Sequence, residues 1–229
     1  MSHDMSNSKS NVRSRSVCSS ASWQQRRHDF GMTWWEHQRE ELPGFELIPH
    51  VVHLLAEGKP LSLERLAAES SWTLQDVEAA VRRHPGVDWD DRGRLLGIGL
   101  TLCQTPHRFT FDGRTVFGWC ASDVLIFPVM LGKSGIIESP CPVTGQQIKV
   151  VVTPEQVQNV APSSAVVSLV RPDKINDIRA EACALGNFFA SSAAAGEWLA
   201  AHPEGMVHSV DEDFKLHREV MEKLGWARF

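Results

Sequence analysis

The sequence predicts an α+β protein in two parts: a winged-helix-like helical domain over residues 29–104, then a mixed α/β domain over 105–229 with a small antiparallel sheet. Three observations predict it. Three helical patterns follow one another between residues 45 and 83. A hairpin pattern comes next, from 87 to 102. Beyond residue 105, strand-like runs are interleaved with helical ones, without internal repeat.

Residues 1–28 are Ser-rich and poor in apolar side chains, which predicts disorder, and Met5 is a possible alternative start. Residues 29–42 set Trp34 and Trp35 beside charged positions and predict a helix packed on the domain. The stretch 45–57 carries Leu47, Val51, Leu54 and Leu55 at helical spacing, with Pro49 in the first turn, where its missing N–H costs nothing. Ser62 is an N-cap for a helix over 62–69, and Glu64 favours its first turn. Thr73 caps a third helix, over 73–83, with Val77, Ala80 and Val81 on one face; Pro85-Gly86 ends it. Residues 87–89 and 95–102 then flank an Asp90-Asp91-Arg92-Gly93 turn as a hairpin.

In the second half, 108–111 and 115–119 flank an Asp112-Gly113 turn, and a helix is predicted over 121–131. Strands are predicted over 136–139, 147–153 and 165–170, with a tight turn at Cys141-Pro142-Val143-Thr144-Gly145. Pro154 is predicted to start a short helix, and two more helices are placed over 193–201 and 211–224.

Composition narrows the function. At 229 residues the chain can bury a full core. A net charge of −5 and a pI of about 6.1 give no basic field for nucleic acid. The winged-helix-like part itself carries more acid than Lys and Arg, and its third helix has cations only at its end. No apolar run approaches the roughly 20 residues needed to cross a bilayer, and the N-terminus lacks the apolar region of a secretory signal. A cytoplasmic protein is expected, with no nucleic-acid or membrane partner. Five cysteines, Cys18, Cys103, Cys120, Cys141 and Cys183, show no CxxC pair, and the ten histidines show no metal-binding spacing with them. A P-loop and a GxSxG elbow are both missing.

The block Phe117-Gly118-Trp119-Cys120-Ala121-Ser122-Asp123 is the chemically distinctive one. A thiol at a helix N-terminus meets unpaired N–H groups and the helix dipole, which predicts a lowered pKa for Cys120. Spacing i,i+3 brings Asp123 within side-chain reach, and a buried Asp has the raised pKa of a proton carrier. The plainer alternative is a helix-capping acid beside a core cysteine. Trp119, Phe188 and Phe189 could wall a dry pocket suited to a soft, hydrophobic, metal-bearing substrate, or could be plain core. A thiolate-based carrier of mercury or copper without bond cleavage is a second function these residues allow.

Three blocks in order carry a family resemblance: Trp119-Cys120-Ala121-x-Asp123-x-Leu125-Ile126-Phe127-Pro128, then Ser139-x-Cys141-x-x-Thr144-Gly145, then Cys183 with Phe188-Phe189-Ala190-Ser191. In these the chain resembles the alkylmercury lyases of bacterial mercury resistance, over roughly residues 45–225. The resemblance implies protonolysis of a carbon–mercury bond to a hydrocarbon and Hg(II). It implies Cys120 and Cys183 as the mercury-binding thiols, Asp123 as proton carrier and third mercury contact, and Cys141 as a structural cysteine. Some members carry a second cysteine where this chain has Ala184. No cofactor is implied; external thiols or a mercuric reductase would take up the Hg(II).

Overall fold

The computed structural model describes residues 33–172 and 174–227. Cys18 and the stretch expected to be disordered lie outside them.

Helix α1 (33–41) precedes a short 3-10 turn at Phe45–Leu47. The three predicted helices follow: α2 (Ile48–Leu55), α3 (Leu63–Ser70) and α4 (Leu74–Arg83). The caps are where sequence puts them. The Arg65 N–H donates to Ser62 Oγ and the Asp76 N–H to Thr73 Oγ1, both at 3.2 Å. Pro49 occupies the first turn of α2, and the apolar faces of all three helices are buried.

The hairpin differs in detail. Strand β1 (Asp88–Trp89) pairs with β2 (Leu95–Ile98), but the run to residue 102 is not one strand. Gly99, at φ +69°, turns it back as β3 (Leu100–Thr101), which pairs with β2. Gly97 faces Thr101 in this tight return, where a Cβ would lie 2.5 Å from the Thr101 Cβ, so only glycine fits.

Strands β4 (His107–Phe111) and β5 (Arg114–Gly118) form the predicted second hairpin. Helix α5 follows, at Ala121–Leu131, the predicted bounds. It carries one charge, and Val124 to Met130 are all buried. A helix apolar on every side must be central; α5 packs on α2, on β4 and on the last helix, α8 (Val210–Lys223). Gly132, at φ +64°, ends it.

Strands β6 (Gly135–Pro140), β7 (Gln147–Val152) and β8 (Val157–Ala161) complete an eight-stranded antiparallel sheet of order β1-β2-β3-β5-β4-β6-β7-β8. The helix expected at Pro154 is not formed. The Thr153 N–H donates to Gln156 O, and Thr153 Oγ1 accepts from the Glu155 and Gln156 N–H groups, closing a turn that sends the chain back along β7. A ladder with β7 offers more hydrogen bonds than a single helical turn.

A second sheet, β10-β9-β11, holds β9 (Val166–Leu169), β10 (Phe188–Phe189) and β11 (Met206–Ser209). Between β9 and β10 lie the short α6 (Ile178–Glu181) and a 3-10 turn at Cys183–Leu185, which sequence left unassigned. The helix predicted from 193 begins later, as α7 (Gly196–Ala201), and β11 was not anticipated. Helix α8 (Val210–Lys223) is the last element, starting behind a Ser209–Glu212 capping box. Among the described residues no helix is long and apolar enough to cross a membrane.

Candidate active site

Cys120 is the N-cap of α5, and Asp123 is three residues on. They bind each other reciprocally: the Asp123 N–H donates to Cys120 Sγ at 3.4 Å, and the Cys120 N–H donates to the Asp123 carboxylate at 3.0 Å. The capping reading and the chemical reading therefore describe one arrangement. The cap fixes both side chains in register.

The segment carrying Cys183 is fastened to this junction. The Ala121 N–H donates to Gly186 O at 2.9 Å, and the Trp119 N–H to Gly99 O at 3.1 Å. Ser168 on β9 holds the turn after Cys183: its hydroxyl donates to Leu185 O at 2.7 Å and accepts from the Asn187 N–H at 2.9 Å. The Cys120 and Cys183 thiols share a hydrogen bond. Ligand atoms of Cys120, Asp123 and Cys183 all lie within 4.8 Å of one another, and no other such group of His, Cys, Asp or Glu occurs among the described residues.

The site's electrostatics depart from sequence expectation at one point. The Cys120 pKa is raised well above that of a free thiol, not lowered. The hydrogen bond with Cys183 is the largest cause, then burial, then the charges of Asp123 and Cys183; the Asp123 N–H opposes them and loses. One long N–H contact cannot offset desolvation in a closed site. For Asp123, burial pushes the carboxyl up, against the hydrogen bonds from Cys120 that pull it down. That direction suits a proton carrier.

A polar wall not anticipated from sequence stands behind the site. Arg171, two residues beyond β9, and His217 of α8 line the same cavity as Cys120, Asp123 and Cys183. The Arg171 guanidinium donates to His217 Nε2 at 3.1 Å. His217 Nδ1 lies 3.2 Å from the Asp213 carboxylate, Ser122 Oγ donates to it at 3.1 Å, and His208 Nδ1 is 3.6 Å away. Burial alone would push the Asp213 carboxyl up, but the neighbouring imidazoles, His217 first and then His208, hold it well below the usual carboxylate range. Burial lowers Arg171 to about 10, so it stays charged at neutral pH. The legible signal was an i,i+4 Asp–His pair, Asp213 and His217, on the buried face that holds Val210, Phe214 and Val220.

The remaining predicted site residues separate. Trp119 lines the cavity on the side of His84 and Ile98. Its indole N–H donates to Asp88 at 2.8 Å and the Arg179 guanidinium lies 4.9 Å over its ring. Phe188 is fully buried against His107, ring centres 6.1 Å apart, and Phe189 against Trp198; neither lines this cavity. As neighbours on strand β10 they face core layers instead. Cys141 lies in its predicted turn, outside the three-residue group. Burial raises its thiol, but hydrogen bonds from the Thr144 hydroxyl and the N–H groups of Ala190, Thr144 and Val143 outweigh that and lower it. Cys103 is partly exposed.

Comparison with known proteins is consistent along the chain. Residues 100–222 match the model of the alkylmercury lyase family, and residues 40–99 match the model for the helix-turn-helix domain of alkylmercury lyase. The alkylmercury lyase of Staphylococcus epidermidis is 42% identical over 170 residues, 74% of this chain and 79% of that one. That of Streptomyces lividans is 40% identical over 174 residues, 76% and 81% of the two chains. Among solved structures, the mercury-bound form of MerB2 superposes with a TM-score of 0.73 at 22% identity, covering 85% of this chain and 98% of that one. That likeness is one of fold.

Proposed function

The chain belongs to the alkylmercury lyase family, and from that premise we propose that Cys120, Asp123 and Cys183 carry out its carbon–mercury cleavage. The protein is an organomercurial lyase. The observation that carries the residue assignment is the meeting of two thiols and one enclosed carboxyl within 4.8 Å.

Mercury is soft and prefers sulfur to oxygen or nitrogen. An organomercurial reaches the site as R–Hg–SR′, bound to a cellular thiol. Cys183 displaces R′S⁻, and its proton leaves with it as R′SH. Cys120 then adds as second sulfur ligand and passes its proton to Asp123. Two thiolates enrich mercury in electrons and weaken the Hg–C bond. Asp123 gives the proton to carbon as that bond breaks, and R–H departs. The balance is R–Hg–SR′ plus two protein thiols, giving R–H, a mercury bridging both sulfurs, and R′SH. Two further external thiols, or a mercuric reductase, remove Hg(II) and restore the protein thiols. The sequence needs no cofactor.

The raised Cys120 pKa fits this order. A neutral thiol beside a carboxylate keeps its proton in the site until mercury binds. Incubation of the protein with phenylmercury and excess thiol, following benzene by gas chromatography, tests the reading. Catalytic benzene release by the wild type is expected, with Asp123→Asn binding mercury tightly but releasing none. Full turnover by Asp123→Asn would remove its proton role. Stoichiometric mercury binding by the wild type without benzene would make the protein a carrier.

A further inference from the structure

We propose that Trp34 and Trp35 of α1 form the subsite for the organic group of the substrate, and that this subsite selects an aryl ring over a methyl group. The inference rests on the lyase reading above and deepens it. Neither tryptophan lies within residues 40–222, which the two family models match.

Two adjoining spaces open beside the thiols, of about 90 and 80 Å³. Both are bounded by Trp34, Trp35, Asp123, Ile178 and Cys183. Each alone is smaller than the roughly 150 Å³ apolar cavity that takes up benzene, and a ring seated across both would draw on a summed volume of that order. The second extends between Leu42, Ile48 and Ile98, with the His84 imidazole beside them. Two-coordinate mercury is linear: held by one cysteine sulfur, it points its carbon directly away from that sulfur. From Cys183, an adjoining space beside Asp123 is where that carbon can meet its proton.

The two indoles are held in place, as a binding wall requires. The Trp34 N–H donates to Pro172 O at 3.2 Å, and the Arg171 guanidinium lies 4.9 Å from its ring centre. Trp34 meets Trp35 edge-on at 5.2 Å, and Trp35 meets Phe45 at 6.1 Å and Trp226 at 6.0 Å in the same manner. The Trp35 indole nitrogen is buried and finds no acceptor among the described residues. A buried donor without an acceptor calls for a partner. The π-face of an aryl ring can accept such an N–H, and a methyl group cannot. A methyl group would also leave most of the space unfilled, forfeiting the dispersion contacts a ring makes with its walls.

The test measures kcat/KM for phenylmercury and methylmercury in excess thiol, from benzene and methane release, in the wild type and in Trp34→Leu, Trp35→Leu and Trp35→Phe. The ratio of phenyl to methyl is expected to fall about fivefold or more in each Leu variant, through KM for phenylmercury. In Trp35→Phe, which keeps a ring but loses the N–H, the fall is expected to be smaller. A ratio unchanged within twofold, or both substrates falling in parallel, would overturn the subsite. Should a Leu variant fail to melt cooperatively, Trp34→Phe is read in its place by the same ratio. Phenylmercury binding to Asp123→Asn gives a second readout: heavy-atom quenching of indole fluorescence should shrink by more than half in Trp34→Phe/Trp35→Phe on the same background. Undiminished quenching counts against the subsite. A wild type that releases neither hydrocarbon fails the lyase reading instead, and the quenching difference then decides the subsite alone.

Discussion

Cys120 does two jobs with one side chain. As N-cap it accepts the Asp123 N–H, and as a free thiol it hydrogen-bonds with the Cys183 thiol. The double use makes the site sensitive to its glycines. A Cβ on Gly186 would stand 2.9 Å from the Cys120 Cβ and 3.6 Å from its sulfur. Gly186→Ala is therefore expected to push Cys120 off its cap and away from mercury. Turnover should fall by roughly tenfold or more, with about 1–3 kcal/mol of stability lost to overpacking. Benzene-release kinetics beside a denaturant titration check both, and a fully active variant would show that the cap need not be held so closely. Serine at either cysteine keeps the shape but not the softness. Cys120→Ser and Cys183→Ser are each expected to lose turnover entirely, and normal release by Cys183→Ser would sink the two-sulfur chemistry.

On the scale of elements, β4 carries a charge question into the core. His107 is buried, its Nδ1 3.0 Å from Ser139 Oγ on β6, and burial lowers its pKa to about 4. The unfolded value is about 6.5. Between those values the unfolded chain binds a proton the folded chain refuses, so stability falls as pH drops from 6.5 towards 4. The full difference is worth roughly 3 kcal/mol. Denaturation free energies at pH 7 and pH 4.5 should show a loss of that order in the wild type, and a smaller one in His107→Gln. Equal losses would place the acid sensitivity elsewhere. The paired carboxylate of Asp213 works in a different window: its depressed pKa adds stability that is lost only below the usual carboxylate range, near pH 4 and under.

Across the whole molecule, Asp88 ties three regions together. It sits on β1 of the hairpin, accepts from the Trp119 indole at 2.8 Å and from Thr101 Oγ1 at 2.7 Å, and pairs with Arg179 of α6. Trp119 leads into Cys120, and α6 leads into Cys183, so one carboxylate touches the approach to both thiols. Asp88→Asn should keep the fold, loosen α6 and misplace Cys183. Hydrogen exchange over residues 174–186 should quicken, and turnover should drop by about tenfold. Unchanged exchange there would mean that Ser168 and the Gly186 carbonyl hold the segment without it.

Local signals determined much of this protein by themselves. Ser62, Thr73, the Cys120–Asp123 pair and Gly132 mark helix ends through short-range hydrogen bonds and backbone freedom that need no tertiary partner. The Cys-x-x-Asp block was legible for the same reason, since i,i+3 is a contact within one turn. Three things were decided only by the fold. Cys183 joins Cys120, while Cys141 and Cys103 do not, because Ser168 and Gly186 bring the β9–β10 connection to the start of α5. The Cys120 pKa moved against expectation, because desolvation and a second thiol belong to the packed site and not to the helix end. Trp34, Trp35, Arg171 and His217 reach the cavity from segments far apart in the chain. Contacts between distant segments leave no period or spacing in a sequence; they follow from which apolar faces meet, and that is settled when the core closes around α5.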